Sequence, residues 1–181
     1  MTHPWIADRT KTFDSSGIRK VFDLAAQMKN PINLSIGQPD FDVPQPVKDA
    51  CIDAIQNRRN GYALTQGMPV LREKLQSQVD TEYGHADRKV FVSSGTSGGL
   101  VLAIWSLINP GDEVIIPTPY WVSYSALVEL VGAKPVLVET QEADGFCLSA
   151  AQFRNAITPR TRLLMLNSPS NPTGGVYPVA A

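Results

Sequence analysis

The stretch "VSSGTSGGLVLAIWSLINPGDEVIIPTPYW", residues 92–121, decides the fold. It begins as the end of an apolar strand and breaks into glycine, serine and threonine. It then resumes as an apolar helical run, turns at "NPGD", and continues into the strand "EVIIP", whose "VIIP" is unbroken apolar. A strand that is apolar without alternation is one buried on both faces, as in a parallel sheet covered by helices. Strand, turn, helix and strand in that order make one crossover unit, which predicts parallel pairing.

The same rhythm continues on either side. "KVFVS" at 89–93 precedes the glycine turn as a strand, and a helix is expected over 97–108. Downstream come a helix at 121–131, the strand "KPVLVE", a helix at 149–156 and the strand "RLLMLN". The expectation is an α/β fold: a mainly parallel sheet with helices on both faces, whose ligands gather at the carboxyl ends of the strands. Upstream, Ile18, Val21, Phe22 and Ala25 share a helical face within 17–28, and "PINLSIG" reads as a short strand leading into the linker-like "QPDFDVPQP". Helical spacing recurs over 46–58 and 69–82, with an exposed-looking Tyr62 in the loop between them.

Composition narrows the classes of function. The chain has 181 residues, of which 43% are hydrophobic and 18% charged, and a formal net charge of -1. Scattered Lys and Arg form no basic stripe, so neither nucleic acid nor an anionic membrane is an expected partner. With two histidines and two cysteines at no ligand spacing, no metal site is expected, and Cys51 and Cys147 read as ordinary buried or half-buried thiols. No apolar run has signal-peptide or membrane-span length, which predicts a soluble cytoplasmic chain.

Three expected strand ends carry chemistry. "SSGTSGG" lies between a strand and a helix N-terminus, where backbone N–H groups and the helix dipole favour an anion. It matches neither GxxxxGK[ST] nor GxGxxG, so a phosphate and a plain tight turn both remain open. "TPYW" offers Tyr120 or Trp121 as a plate for a planar ligand, or as packing at a helix start. "NSPSNPTGG" puts Asn167, Ser168, Ser170, Asn171 and Thr173 at a third strand end, either as polar ligand contacts or as a stiff turn in which an X–Pro bond is cis. An anion cradle, an aromatic plate and an amide donor are what a planar, phosphorylated cofactor needs.

"LSIGQPDFDVP", "GYALTQGMPVLREKL", "PGDEVIIPTPYWVSY" and "ITPRTRLLMLNSPSNPTGGVY", in this order, resemble the class I/II aminotransferases, fold type I pyridoxal-phosphate enzymes related to bacterial aspartate aminotransferase. The resemblance runs over about residues 14–177. It implies that Gly95, Thr96 and Ser97 hold the phosphate of pyridoxal 5'-phosphate, that Trp121 stacks on its ring, and that Asn171 donates to its phenolic oxygen. It further implies that Gly37 meets the substrate carboxylate, with Trp121 and Asn171 also at the substrate. Tyr62 would reach the phosphate bound in the neighbouring subunit of a homodimer. The implied domains are an N-terminal arm and small-domain segment over 1–45 and an incomplete large domain over 46–181.

The family's Schiff-base lysine lies in a Ser-x-x-Lys segment that these residues do not contain, so no catalytic residue is assigned. Lys11, Lys20, Lys29, Lys48, Lys74, Lys89 and Lys134 all fall in segments with other roles. The expectation is therefore an aminotransferase chain, acting between an L-amino acid and a 2-oxo acid, that is cut short and inactive alone. The alternatives are a non-catalytic truncated or regulatory cofactor-binding chain, and a lyase or decarboxylase on the same fold. A basic helix-turn-helix, which a regulator would need, finds no room in residues 1–36. An unpaired strand edge near "LLMLN" and uncovered apolar faces predict poor solubility.

Overall fold

The computed structural model describes residues 3–12, 24–25, 27–30, 32, 37, 39–84 and 87–178. Most of the helix expected over 17–28 and the strand expected in "PINLSIG" lie outside these residues. The chain divides into two compact units, one of residues 1–14 with 95–181 and the other of residues 15–94.

In the unit of residues 15–94, α1 (Gln45–Gln56) and α2 (Pro69–Tyr83) match the expected helices within a residue or two. Each carries a proline in its first turn, where the missing N–H costs no intrahelical bond. "KVFVS" forms no strand and joins no sheet among the described residues, which corrects the expected strand. Side chains and a loop meet its polar backbone instead. Val90 N–H donates to Gln76 Oε1 (2.9 Å), Gln76 Nε2 donates to the Arg88 carbonyl (2.9 Å), and Arg72 Nε donates to the Val90 carbonyl (3.2 Å). Val92 N–H donates to the Gln66 carbonyl at 3.0 Å. Cys51 is exposed on α1 rather than buried, because no residue of that helix is buried.

The other unit holds the sheet. After a short 3-10 turn at Asp8–Thr12 come α3 (Gly95–Leu107), β1 (Glu113–Thr118), α4 (Ser123–Leu130) and β2 (Lys134–Glu139), followed by α5 (Ala150–Ala156) and β3 (Thr161–Leu164). Among the described residues the strands are all parallel, in the order β2-β1-β3. β1 is central, which is why "VIIP" reads apolar without alternation: Val114, Ile115 and Ile116 are fully buried. Val114 and Ile116 share a core with Ile104 of α3, with Ile108 just beyond it, and with Val128 of α4. Burying each such side chain is worth roughly 1.5–3 kcal/mol. α5 starts at a capping box, with Gln152 N–H donating to Ser149 Oγ and Ser149 N–H donating to Gln152 Oε1.

β3 ends earlier than the expected "RLLMLN". Its last ladder-like bond is from Met165 N–H to the Ile115 carbonyl (3.0 Å), and two prolines without donors follow at Pro169 and Pro172. At the opposite, amino end of the sheet, the buried Glu113 carboxylate ties the three strands together. It accepts from the Thr158 hydroxyl (2.5 Å) and from Arg160 Nη2 (2.8 Å), with Lys134 Nζ at 3.8 Å. These donors hold its carboxyl below the usual carboxylate range, the Thr158 hydroxyl most and Arg160 next, against the opposing effect of burial.

Candidate functional site

The site is built from the carboxyl side of the sheet and from the start of α3. Gly95 opens α3 with φ +69°, and open space lies where a side chain would begin. Thr96 and Ser97 follow, both exposed, and the first turn carries no acidic residue. A helix N-terminus with two exposed hydroxyl-bearing residues and no acidic residue in its first turn suits a dianionic phosphate, since the first-turn N–H groups attract it.

At the end of β1 the backbone is fixed from β2. Thr140, itself buried, donates both its N–H (3.1 Å) and its hydroxyl (2.6 Å) to the Thr118 carbonyl. The peptide bond from Thr118 to Pro119 is cis, and Tyr120 and Trp121 follow. Tyr120 Oη donates to Ser125 Oγ (3.1 Å) and stacks near Tyr124, with centroids 6.5 Å apart. Trp121, half-buried, meets the Tyr124 ring edge-to-face at 5.5 Å and 80°. Its indole is thereby oriented by α4.

At the end of β3 the loop "SPSNPTGG" closes on itself. Ser170 N–H donates to the Gly175 carbonyl (2.8 Å) and Gly174 N–H to the Ser170 carbonyl (2.7 Å). Two of its X–Pro bonds, Ser168–Pro169 and Asn171–Pro172, are cis, as the sequence allowed. Asn167, Ser170 and Asn171 line a small crevice together with Pro119, Tyr120 and Tyr124. The ends of β1 and β3 thus meet.

Of the predicted residues, Asn171 lines this crevice directly, whereas Trp121 is not among its walls and meets the ring of Tyr124, which is. Gly95, Thr96 and Ser97 belong to the same unit but are not among the crevice walls. Tyr62, fully exposed, and Gly37, with nothing within 4 Å of an added Cβ, belong to the other unit. Sequence reasoning assigned no role to Phe146 and Tyr177, which also line the crevice. Phe146 arrives there on a left-handed backbone (φ +56°), for which "DGFC" carried no signal beyond its glycine. Among the described residues no cluster of His, Cys, Asp or Glu could hold a metal ion, and no helix is long and apolar enough to cross a membrane.

A family model for aminotransferase class I and II matches residues 29–181. The chain belongs to this aminotransferase family. Aspartate aminotransferase of Rhizobium meliloti (strain 1021) is 42% identical over 180 residues, covering 96% of this chain and 44% of that protein. The crystal structure of the Rhizobium meliloti enzyme superposes with a TM-score of 0.91 at 41% identity, covering 99% of this chain and 46% of the other. Thermus thermophilus aspartate aminotransferase with maleate gives a TM-score of 0.88 at 36% identity, covering 99% and 48%. The aminotransferase chain therefore spans about half the length of the relatives it matches, and its three-stranded parallel sheet with flanking helices is part of the fold type I large domain.

Proposed function

We propose that this aminotransferase chain carries the pyridoxal-phosphate cradle of an enzyme that transfers an amino group between an L-amino acid and a 2-oxo acid. The observation that carries the reading is the meeting of the β1 and β3 ends around Asn171, on a chain whose α3 begins with an uncharged, hydroxyl-bearing turn. In it, Gly95, Thr96 and Ser97 hold the phosphate through N–H groups and hydroxyls, so that no excess of Lys or Arg is needed. Trp121 lies against the ring, and Asn171 donates to the phenolic oxygen and favours its anion. Pyridoxal phosphate, when bound, supplies the electron sink for labilising bonds at the substrate's α-carbon, while the protein orients it and tunes its charge.

Gly37 is assigned to the substrate carboxylate and Tyr62 to the phosphate of a neighbouring subunit in a cytoplasmic homodimer. The division into an arm and small-domain segment over 1–45 and a large domain from 46 belongs to that complete enzyme. None of the seven lysines named above is assigned the Schiff-base role, so residues 1–181 alone are expected to bind the cofactor without turning substrate over.

A titration of the chain with pyridoxal 5'-phosphate, followed by its absorption and competed with inorganic phosphate, tests this. Saturable binding is expected, weakened about tenfold in Ser97→Ala by loss of one hydrogen bond to a charged group. Absence of binding would overturn the cofactor assignment. Sustained amino transfer by the chain alone would overturn the assignment of no catalytic lysine.

A further inference from the structure

The loop that presents Asn171 is fastened to a second loop, the turn that leads from β2 into α5. Tyr177 makes the attachment at two points: its hydroxyl accepts from Leu148 N–H (2.9 Å), and its own N–H donates to Ser168 Oγ (3.1 Å). Leu148 is buried, so this hydroxyl is the partner of an amide that has left water. Between the two points the backbones touch. A Cβ added to Gly175 would lie 2.4 Å from the Gly145 carbonyl oxygen, so only glycine permits the approach. Gly175 is also the residue whose carbonyl accepts from Ser170 N–H, one position before Asn171. The path from the 145–148 turn to Asn171 is thus a short series of hydrogen bonds and one backbone contact.

We propose that Tyr177, with the Gly145–Gly175 contact, is the positioning element that aims the Asn171 amide at the cofactor's phenolic oxygen. This rests on the assignment of Asn171 made above and adds residues that act through it. Tyr177 touches the crevice wall but acts by holding the loop, and Gly175 acts by letting the loop lie close. A side chain amide held in one orientation loses less freedom on binding, so a loosened loop weakens the contact with the phenolic oxygen without removing either partner.

The test measures how strongly the chain prefers pyridoxine 5'-phosphate over its 3-O-methyl ether, neither of which has an aldehyde for surface lysines to trap. Inorganic phosphate serves as the control ligand. The unsubstituted chain is expected to favour the free phenol by about tenfold, the worth of one hydrogen bond to a charged group. Asn171→Ala should abolish that preference. Tyr177→Phe and Gly175→Ala should each reduce it several-fold while leaving the affinity for inorganic phosphate unchanged, and Tyr177→Phe should add nothing in the Asn171→Ala background. If Asn171→Ala loses the preference but both Tyr177→Phe and Gly175→Ala keep it, the positioning role is overturned and the Asn171 assignment stands. If the unsubstituted chain shows no preference, or Asn171→Ala retains it, the Asn171 assignment falls and the positioning role with it. Should one of the two loop variants fail to fold, the other decides; loss of phosphate affinity in both would mark a general structural role and overturn the proposal.

Discussion

Glu113 is the residue whose chemistry is best defined. Its carboxylate is buried among a hydroxyl and two cations, and its folded pKa lies below the ordinary value. A group shifted in this direction contributes stability that is fully present above its unfolded pKa, about 4.3, and is lost as the pH falls through the lower folded value. The melting temperature is therefore expected to be flat near neutrality and to drop below about pH 4, with Glu113→Gln flattening that drop and lowering the neutral-pH value. A pH series of thermal melts on both proteins checks it; an unchanged acid limb would count against the carboxylate. Thr140 invites a second substitution. Thr140→Val keeps its shape but removes the hydroxyl donor to the Thr118 carbonyl, and should cost about 1 kcal/mol by urea denaturation.

Among the elements, β1 and α5 were legible for different reasons. The middle of β1 is buried on both faces, so burial wrote the apolar run "VII" into the sequence. α5 announces itself locally through Ser149 and Gln152, and Ser149→Ala should cost about 1 kcal/mol with loss of helical signal. Ile116→Ala removes a fully buried side chain from the core between β1 and the helices, and should cost about 2–5 kcal/mol in the same urea measurement. "KVFVS" has a comparable pattern yet forms no strand among the described residues, because Gln66, Arg72 and Gln76 take its backbone bonds. No periodicity records which partner a backbone will find. The glycine turn, "TPYW" and "SNP" could be read as candidate site segments because each follows an expected strand end. Phe146 and Tyr177 could not, since one depends on an unusual backbone angle and the other on a contact 29 residues away.

At the scale of the whole molecule, many large apolar side chains among the described residues are exposed. α3 is apolar around most of its circumference, yet only Ile104 is buried, while Trp105 is 62% and Leu107 59% exposed. Leu137 of β2 and Leu166 just beyond β3 are also exposed. Surfaces of this kind associate with each other or with a partner surface. The 181-residue chain should bind a hydrophobic dye in its folded state and sediment with concentration-dependent self-association. A sharp melt from a dye-free monomer would contradict this, and with it the low solubility expected from the sequence.

The parallel sheet also separates two kinds of tolerance. Glu113, Arg160 and Lys134 cross-link its amino edge, while the Pro119 and Asn171 loops leave from its carboxyl edge. Drift in the loops can reshape the crevice without loosening the strands, and repairs at the ionic edge can restore firmness without altering the crevice. An engineer could randomise the carboxyl pole and leave the other as ballast.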